Sequence, residues 1–304
     1  RAIENFDLRG YDLVLSSSHA VAKGVRTTAA QLHICYCHTP MRYAWDLREE
    51  YLGPRGLSTG WRGAIAHRML DRLREWDRAS SSRVNHFIAN SAFVRARIAR
   101  AYGREATVIH PPVDTGYFVP SGTARFTPAY YFTASRHVPY KRIDLIAAAF
   151  GALPQHRLIV AGTGPETARI RAVAGSNVEF VGEVPRTRLL ELMQGARAFV
   201  FAAEEDFGIV PVEAQACGTP VIALRRGGAV ETVNDQAGHA TGLFFDEQSV
   251  RSIVDAINRF EALTPPLSAQ DCRSNALRFS TGNFHDQYTA FVEARWHEFA
   301  AGRG

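Results

Sequence analysis

From about residue 130 onward the chain alternates short apolar runs with longer segments of helical periodicity, and this rhythm limits the fold more than any other feature of the sequence. Strands are expected over 130–134, 157–161, 178–181 and 198–201, helices over 141–150, 166–174 and 186–195, and two further units follow. Regular strand–helix alternation of this kind builds a doubly wound parallel sheet, an α/β architecture. The first 110 residues repeat the pattern more loosely. Strands are expected over 11–17, 31–37 and 86–89, and a helix over 64–80. The 86–89 strand runs into Asn90-Ser91, whose short polar side chains suit a helix start, and that helix ends at Tyr102 before Gly103. After a strand-like Thr107-Val-Ile-His110, Pro111-Pro112 cannot continue a central ladder, so a linker is expected over 111–128. A last helix, 283–299, carries Phe284, Tyr288, Phe291, Val292 and Trp296. The expected division is 1–115, 116–282, and a closing helix 283–304 packed back on the first domain.

At 304 residues the chain suits two medium domains. Apolar runs such as 197–203 have the length of buried strands and fall short of the roughly 20 residues of a membrane helix. The excess of 35 Lys and Arg over 30 Asp and Glu, a formal charge of +5, favours anionic ligands such as phosphates or a lipid surface and is too small to argue for nucleic acid. Cys35, Cys37, Cys217 and Cys272 lack disulfide spacing and are expected as free thiols in the cytoplasm. Period-two alternation puts His33, Cys35 and Cys37 on one strand face, but no second ligand pair completes a metal shell, and no metal is expected.

The densest signal is the run Glu204-Glu-Asp-Phe-Gly-Ile-Val-Pro-Val-Glu-Ala-Gln-Ala-Cys-Gly-Thr-Pro-Val-Ile222. A strand ends near Ala202 and a glycine-containing turn opens a helix, so the amides of Phe207 to Val210 are placed to attract phosphate or sugar oxygens. Glu205 and Glu213, eight positions apart, put one carboxylate at the mouth of that turn and one about two turns into the helix. Acidic residues near a helix start can also do no more than complement its dipole. Upstream, Arg136 and Lys141 in Ala134-Ser-Arg-His-Val-Pro-Tyr-Lys-Arg-Ile-Asp144 offer two cations beyond a strand end, suited to a diphosphate whose charge grows as a bond to it breaks. Gly162 and Gly164 of Val160-Ala-Gly-Thr-Gly-Pro-Glu166 form a short glycine turn between strand and helix, weak evidence by itself. His38 ends the 31–37 strand.

Together these runs resemble the signature of retaining glycosyltransferases of family four, with the GT-B fold. The longer strings Ser16-Ser-Ser-His-Ala-Val-Ala-Lys-Gly24, Cys37-His-Thr-Pro-Met-Arg-Tyr-Ala-Trp-Asp46 and 131–142 resemble the GDP-mannose-dependent mannosyltransferase branch used in bacterial surface polysaccharide assembly. The resemblance implies two Rossmann-like parallel-sheet domains facing a cleft and transfer of a hexose, mannose from GDP-mannose, to a saccharide or lipid-linked saccharide with the anomeric configuration retained. It implies that Glu213 binds the nucleotide ribose, that Glu205 and the amides of Phe207, Gly208 and Ile209 hold the donor sugar, and that Arg136 and Lys141 clamp the diphosphate. It further implies that Gly162 and Gly164 line the nucleotide site, that the backbone of Phe180-Val-Gly-Glu-Val184, at Val184, meets the base, that the Arg226–Glu231 turn faces the cleft, and that His38 approaches the donor sugar. No cofactor or metal is required.

The resemblance also implies an amino-terminal domain larger than the 110 residues before the linker, so the first strands and their glycine-rich loop are expected to be missing, leaving apolar edges exposed. UDP- or ADP-sugar donors, or a noncatalytic nucleotide-sugar-binding module, are the alternatives. A nicotinamide-linked enzyme is disfavoured, because no strand leads into a clean GxGxxG with an acidic residue about 20 positions on. The segment 61–78 combines Ile65, Met69, Leu73 and Trp76 at helical spacing with Arg62, Arg68, Arg72, Arg74 and Arg78. It is expected to turn its apolar face into the core, with peripheral contact to anionic lipid at the inner face of the plasma membrane as the alternative.

Overall fold

The computed structural model of the chain describes residues 2–46, 52–53, 60–121 and 129–302. The chain divides into two compact units, Arg1–His110 with His285–Gly304, and Pro111–Phe284. Each is a parallel-sheet α/β unit of Rossmann type. The divisions fall at 110/111 and 284/285, where the sequence reading placed them at 115/116 and 282/283. Residues 111–121 are no loose linker. Val113 forms a bridge with Ser280, its amide donating to the carbonyl of Phe279 at 2.8 Å, and Val113 and Phe118 are buried in the second core. The remainder of the expected linker, 122–128, lies outside the described residues.

In the first unit, β1 (Leu13–Ser18), β2 (Leu32–Cys37), β3 (His86–Ala89) and β4 (Ala106–Val108) lie side by side in chain order, all parallel. The described helices are α1 (Arg42–Trp45), α2 (Gly60–Ser80) and α3 (Ala92–Tyr102), together with residues 285–301 of the chain's last helix. α3 starts as the sequence indicates: Ser91 Oγ accepts the amide of Val94 at 3.0 Å, and Gly103 closes the helix with φ 66°. β2 is buried along its whole length, so His33, Cys35 and Cys37 sit inside the protein. His33 Nε2 and Ser16 Oγ share a hydrogen bond at 2.8 Å, and all four cysteines are free thiols.

A buried ion pair fastens α2 to this sheet. Lys23 Nζ lies 2.8 Å from Asp77 Oδ1 and donates to Ser80 Oγ at 2.6 Å and the Asp77 carbonyl at 2.7 Å, while Trp45 Nε1 and Tyr102 Oη donate to Asp77 Oδ2 at 2.8 Å.

The expected core face of α2 is a correction. Leu73 and Trp76 are half-buried, but Trp61, Ile65 and Met69 are 71%, 52% and 65% exposed, and Arg62, Arg68 and Arg72 are exposed beside them. Helical spacing identifies an apolar stripe without saying what covers it. Among the described strands β1 lies at the sheet edge, and Leu15 on it is exposed too.

The second unit holds six parallel strands, β5 (Tyr130–Ala134), β6 (Arg157–Ala161), β7 (Val178–Gly182), β8 (Phe199–Phe201), β9 (Val221–Leu224) and β10 (Gly242–Phe245), in the order β10-β9-β8-β5-β6-β7. The helices are α4 (Ile143–Gly151), α5 (Thr167–Val173), α6 (Arg186–Gly195), α7 (Ile209–Ala216), α8 (Ala229–Thr232), α9 (Val250–Glu261), α10 (Ala269–Leu277) and α11 (Thr281–Ala301), which runs on into the first unit. β8 and β9 are wholly buried, as parallel strands covered on both faces must be. One core layer gathers Phe132, Phe199, Met193 and Val212, the other Tyr131, Phe150, Val200 and Ile253. A fully buried Phe of this kind contributes about 2 to 3 kcal/mol relative to exposure.

Candidate donor site

Strand order in the second unit reverses between β5 and β8, which pair through Phe132 and Phe199. Loops leaving the carboxyl ends of two such strands diverge to opposite faces, and the crevice between them is where open α/β sheets take ligands. The loop after β5 carries Arg136 and Lys141, and the loop after β8 carries Glu205. The reversal therefore brings together the residues that the two densest sequence runs single out.

Lys141 does not begin a helix, contrary to the sequence reading. It ends a 3-10 turn over Pro139–Lys141, and Arg142 then takes φ 53° before α4 opens at Ile143. Left-handed backbone at a non-glycine residue costs about 1–2 kcal/mol, and here it sets Lys141 apart from α4 on its own short turn. Lys141 Nζ pairs with Glu205 Oε1, the two side chains being 17% and 19% exposed. Glu205 is fixed by its backbone as well, its carbonyl accepting the amide of Gly228 at 2.8 Å. A Cβ at Gly228 would lie 2.3 Å from Phe207 Cα, so the Arg226–Glu231 turn can rest on the acidic loop only with glycine there.

α7 starts at Ile209 with Gly208 as N-cap at φ 86°, and no side chain caps it. Glu213 consequently lies about one turn into the helix, where two had been expected, because the left-handed Gly208 delays the helix start. The Phe207 side chain is buried edge-on against Phe279, ring centroids 5.3 Å apart, so its side chain belongs to the core. The Glu213 carboxyl has no hydrogen-bond or ion-pair partner among the described residues, and its partial burial pushes its pKa up to about 7.

Beside this loop lies a cavity of ≈ 570 Å³, lined among others by Arg136, Gly162, Gly164, Glu183, Val184 and Val210. It runs from the ends of β5 and β6 to the loop after β7 and the first turn of α7. Gly162 is required where it stands: φ is 110°, and a Cβ would meet the Ser135 carbonyl oxygen at 1.9 Å. The glycine turn thus allows the β6 loop to lie against the β5 loop. Two residues of this site were not assigned from sequence. His137, fully buried, ties the loops together: its Nδ1 and Thr167 Oγ1 share a hydrogen bond at 2.9 Å and its amide donates to the Thr163 carbonyl at 2.9 Å. Burial holds the His137 imidazole below its ordinary value. Glu183 is the other. Both fall inside runs already singled out, and their proximity to Arg136 and Val184 was the available signal.

His38 belongs to the first unit and is not among these lining residues. It follows β2, its Nε2 sharing a hydrogen bond with Ser17 Oγ at 2.8 Å, with its ring edge-on to Tyr36 at 5.2 Å. Burial lowers its pKa, and the neighbouring His19 adds to the shift. Among the described residues no three His, Cys, Asp or Glu side chains converge as a metal site, and no helix is long and apolar enough to cross a membrane.

A doubly wound sheet with charged side chains gathered at its reversal point is an α/β architecture suited to binding an anionic ligand there, and comparison with known proteins gives the family. Residues 120–279 match the glycosyl transferases group 1 and residues 1–117 match Glycosyltransferase Family 4. The chain belongs to the group 1 glycosyl transferases. It is 30% identical over 230 residues to D-inositol 3-phosphate glycosyltransferase of Mycobacterium leprae, covering 68% of this chain and 53% of that protein. It is 29% identical over 270 residues to a GDP-mannose-dependent monoacylated alpha-(1-6)-phosphatidylinositol monomannoside mannosyltransferase of Corynebacterium glutamicum, covering 79% of this chain and 64% of the relative. The chain thus spans between half and two thirds of the length of these relatives. Among solved structures it is similar to sucrose-phosphate synthase from Thermosynechococcus elongatus, with a TM-score of 0.75, 20% identity and coverage of 95% and 75% of the two chains. Anabaena HepE in complex with UDP-glucose gives a TM-score of 0.66 at 17% identity, covering 93% and 99%. These likenesses establish the GT-B arrangement of two Rossmann-like domains as the fold class.

Proposed function

We propose that this chain carries the donor site of a retaining mannosyltransferase, which moves mannose from GDP-mannose to a hydroxyl of a saccharide or lipid-linked saccharide. The observation that carries the reading is the pairing of Lys141 with Glu205 at the strand reversal, beside a cavity entered by Arg136 and a helix bearing the unpartnered Glu213. The mannosyltransferase relative supports mannose and guanosine diphosphate as donor parts, while the inositol phosphate relative leaves other sugars as the alternative.

In this reading the diphosphate enters between Arg136 and Lys141 and takes the lysine from Glu205, whose carboxylate then accepts a hydroxyl of the sugar. Glu213 accepts the ribose hydroxyls. The bond from the anomeric carbon to the diphosphate oxygen breaks, the acceptor oxygen bonds the same face of that carbon, and the acceptor proton passes to the departing diphosphate. Arg136 and Lys141 stabilise the charge that grows on it. The scheme needs no metal. Proton NMR of slow GDP-mannose hydrolysis, with water as acceptor, tests the stereochemistry. α-Mannose as the first product supports retention; β-mannose rules it out.

The exposed stripe Trp61, Ile65 and Met69 with Arg62, Arg68 and Arg72 favours a companion reading, contact of α2 with an anionic lipid surface from which the acceptor is drawn. Flotation with phosphatidylglycerol vesicles but not with phosphatidylcholine vesicles is the expected result. Equal failure with both would remove the lipid contact and leave the donor site untouched.

A further inference from the structure

Of the described residues that line the donor cavity, Glu183 alone carries a carboxylate. It stands in the loop after β7, beside Val184, and its carboxyl has no hydrogen-bond or ion-pair partner among the described residues. Arg136 follows β5 and Glu183 and Val184 follow β7, with the glycine turn after β6 between them, where the Gly162 amide donates to the Gly182 carbonyl at 2.6 Å; Val184, Leu189 and Val210 supply apolar lining. A nucleoside diphosphate with its phosphates at Arg136 and extended across the glycine turn toward the loop after β7 would bring the edge of its base to Glu183, with Val184 beside it.

An ionised carboxylate only accepts hydrogen bonds. It can receive two parallel bonds when its partner offers two donors side by side. Guanine does so, with N1–H next to the exocyclic N2 amino group. Uracil offers one N–H flanked by carbonyl oxygens, and adenine offers an amino group next to an unprotonated nitrogen, so either base would turn a lone pair toward the second carboxylate oxygen. We infer that Glu183 selects the guanine base of the donor, through paired hydrogen bonds to N1–H and N2–H. The inference rests on the donor-site reading above and gives its nucleotide preference a residue.

The test is calorimetric titration of the full chain with GDP, IDP, UDP and ADP, for the wild type, Glu183→Gln and Glu183→Ala. Inosine diphosphate keeps N1–H and lacks the amino group, so it isolates one of the two bonds. The wild type is expected to prefer GDP over UDP and ADP by at least about tenfold, with IDP between them, because a hydrogen bond to a charged group is worth that much discrimination. Glu183→Ala is expected to bring GDP down to the level of IDP and UDP while UDP affinity stays where it was. An exposed side chain with no partner in the fold can be replaced without unfolding the unit, and circular dichroism of the variant verifies it. GDP binding that is equal in wild type and Glu183→Ala overturns the inference but keeps the donor site. Parallel losses for GDP and UDP overturn it as well, by showing a general effect on the cavity. A wild-type chain that binds none of the four nucleotides overturns the donor-site reading and the inference together.

Discussion

Each unit contains a lysine paired with a carboxylate, and the two pairs differ in almost everything except their chemistry. Lys23 and Asp77, in the first unit, are 1% and 0% exposed, and Ser80, Trp45 and Tyr102 supply further hydrogen bonds. Lys141 and Glu205, in the second, are 17% and 19% exposed, and among the described residues no third side chain hydrogen-bonds either group, although Lys141 Nζ lies 5.5 Å over the Tyr140 ring. A buried pair stands only when its remaining donors and acceptors are satisfied, since desolvation otherwise exceeds the Coulombic attraction. The first pair meets that condition and fastens α2 to its sheet. The second is partly open to solvent and leaves donor and acceptor capacity unused, which suits the proposed exchange of one partner for a ligand.

Four outcomes would break or sharpen this contrast, the largest first. Asp77→Ala leaves Lys23 buried and uncompensated and is expected to cost the first unit about 3–5 kcal/mol. All four tryptophans, Trp45, Trp61, Trp76 and Trp296, lie in that unit, so fluorescence-detected urea unfolding reports it selectively, and GDP binding by the second unit should be unaffected. A variant as stable as the wild type would show that the pair fastens nothing. Lys141→Met should do the reverse, leaving the fluorescence midpoint in place while turnover of GDP-mannose drops by about 10²–10³-fold, the loss typical of one preorganised group at a developing charge. Undiminished turnover would place the diphosphate elsewhere.

The third outcome concerns Glu213, whose carboxyl stays protonated up to about 7. Ribose hydroxyls donate to its ionised form, so GDP affinity should rise with pH and level off above 7, falling about tenfold per pH unit below it. Glu213→Gln should flatten that profile. The apo protein shows the opposite sign: a carboxyl whose folded value exceeds the ordinary 4.5 holds a proton that the unfolded chain releases, so this contribution to stability is lost as pH rises from 4.5 to 7. The smallest effect belongs to His33 of the first unit, which burial lowers to about 4. Its folded value lies below the ordinary 6.5, so its contribution is present above 6.5 and is lost as pH falls from there toward 4. Tryptophan-detected stability should decline over that range, less so in His33→Gln.

The strand–helix rhythm beyond residue 130 fixed the second unit in advance, down to α6 at Arg186–Gly195, because buried parallel strands and amphipathic helices differ in period. What the periodicity could not carry was local backbone. The left-handed Arg142 and Gly208 moved the starts of α4 and α7, and so the depth of Glu213 in its helix. Nor could it tell a covered stripe from an open one, as Trp61, Ile65 and Met69 demonstrate. The candidate site was legible because its residues stand in contiguous runs at strand ends. Which carboxylates are paired and which are open was not, since Glu205 meets Lys141 across 64 positions of sequence while Glu213 meets no partner among the described residues. His38 stands in the run 37–46 of the first unit, where its partners, Ser17 Oγ and the Tyr36 ring, come from β1 and β2.

The most direct test of the donor site is calorimetric titration of the chain with GDP-mannose, repeated on Glu213→Ala. Binding by the wild type that weakens by at least about tenfold in the variant is the result expected of a half-buried carboxylate that holds the ribose. Failure of the wild type to bind, or equal binding by both proteins, would contradict the assignment of the nucleotide to this crevice.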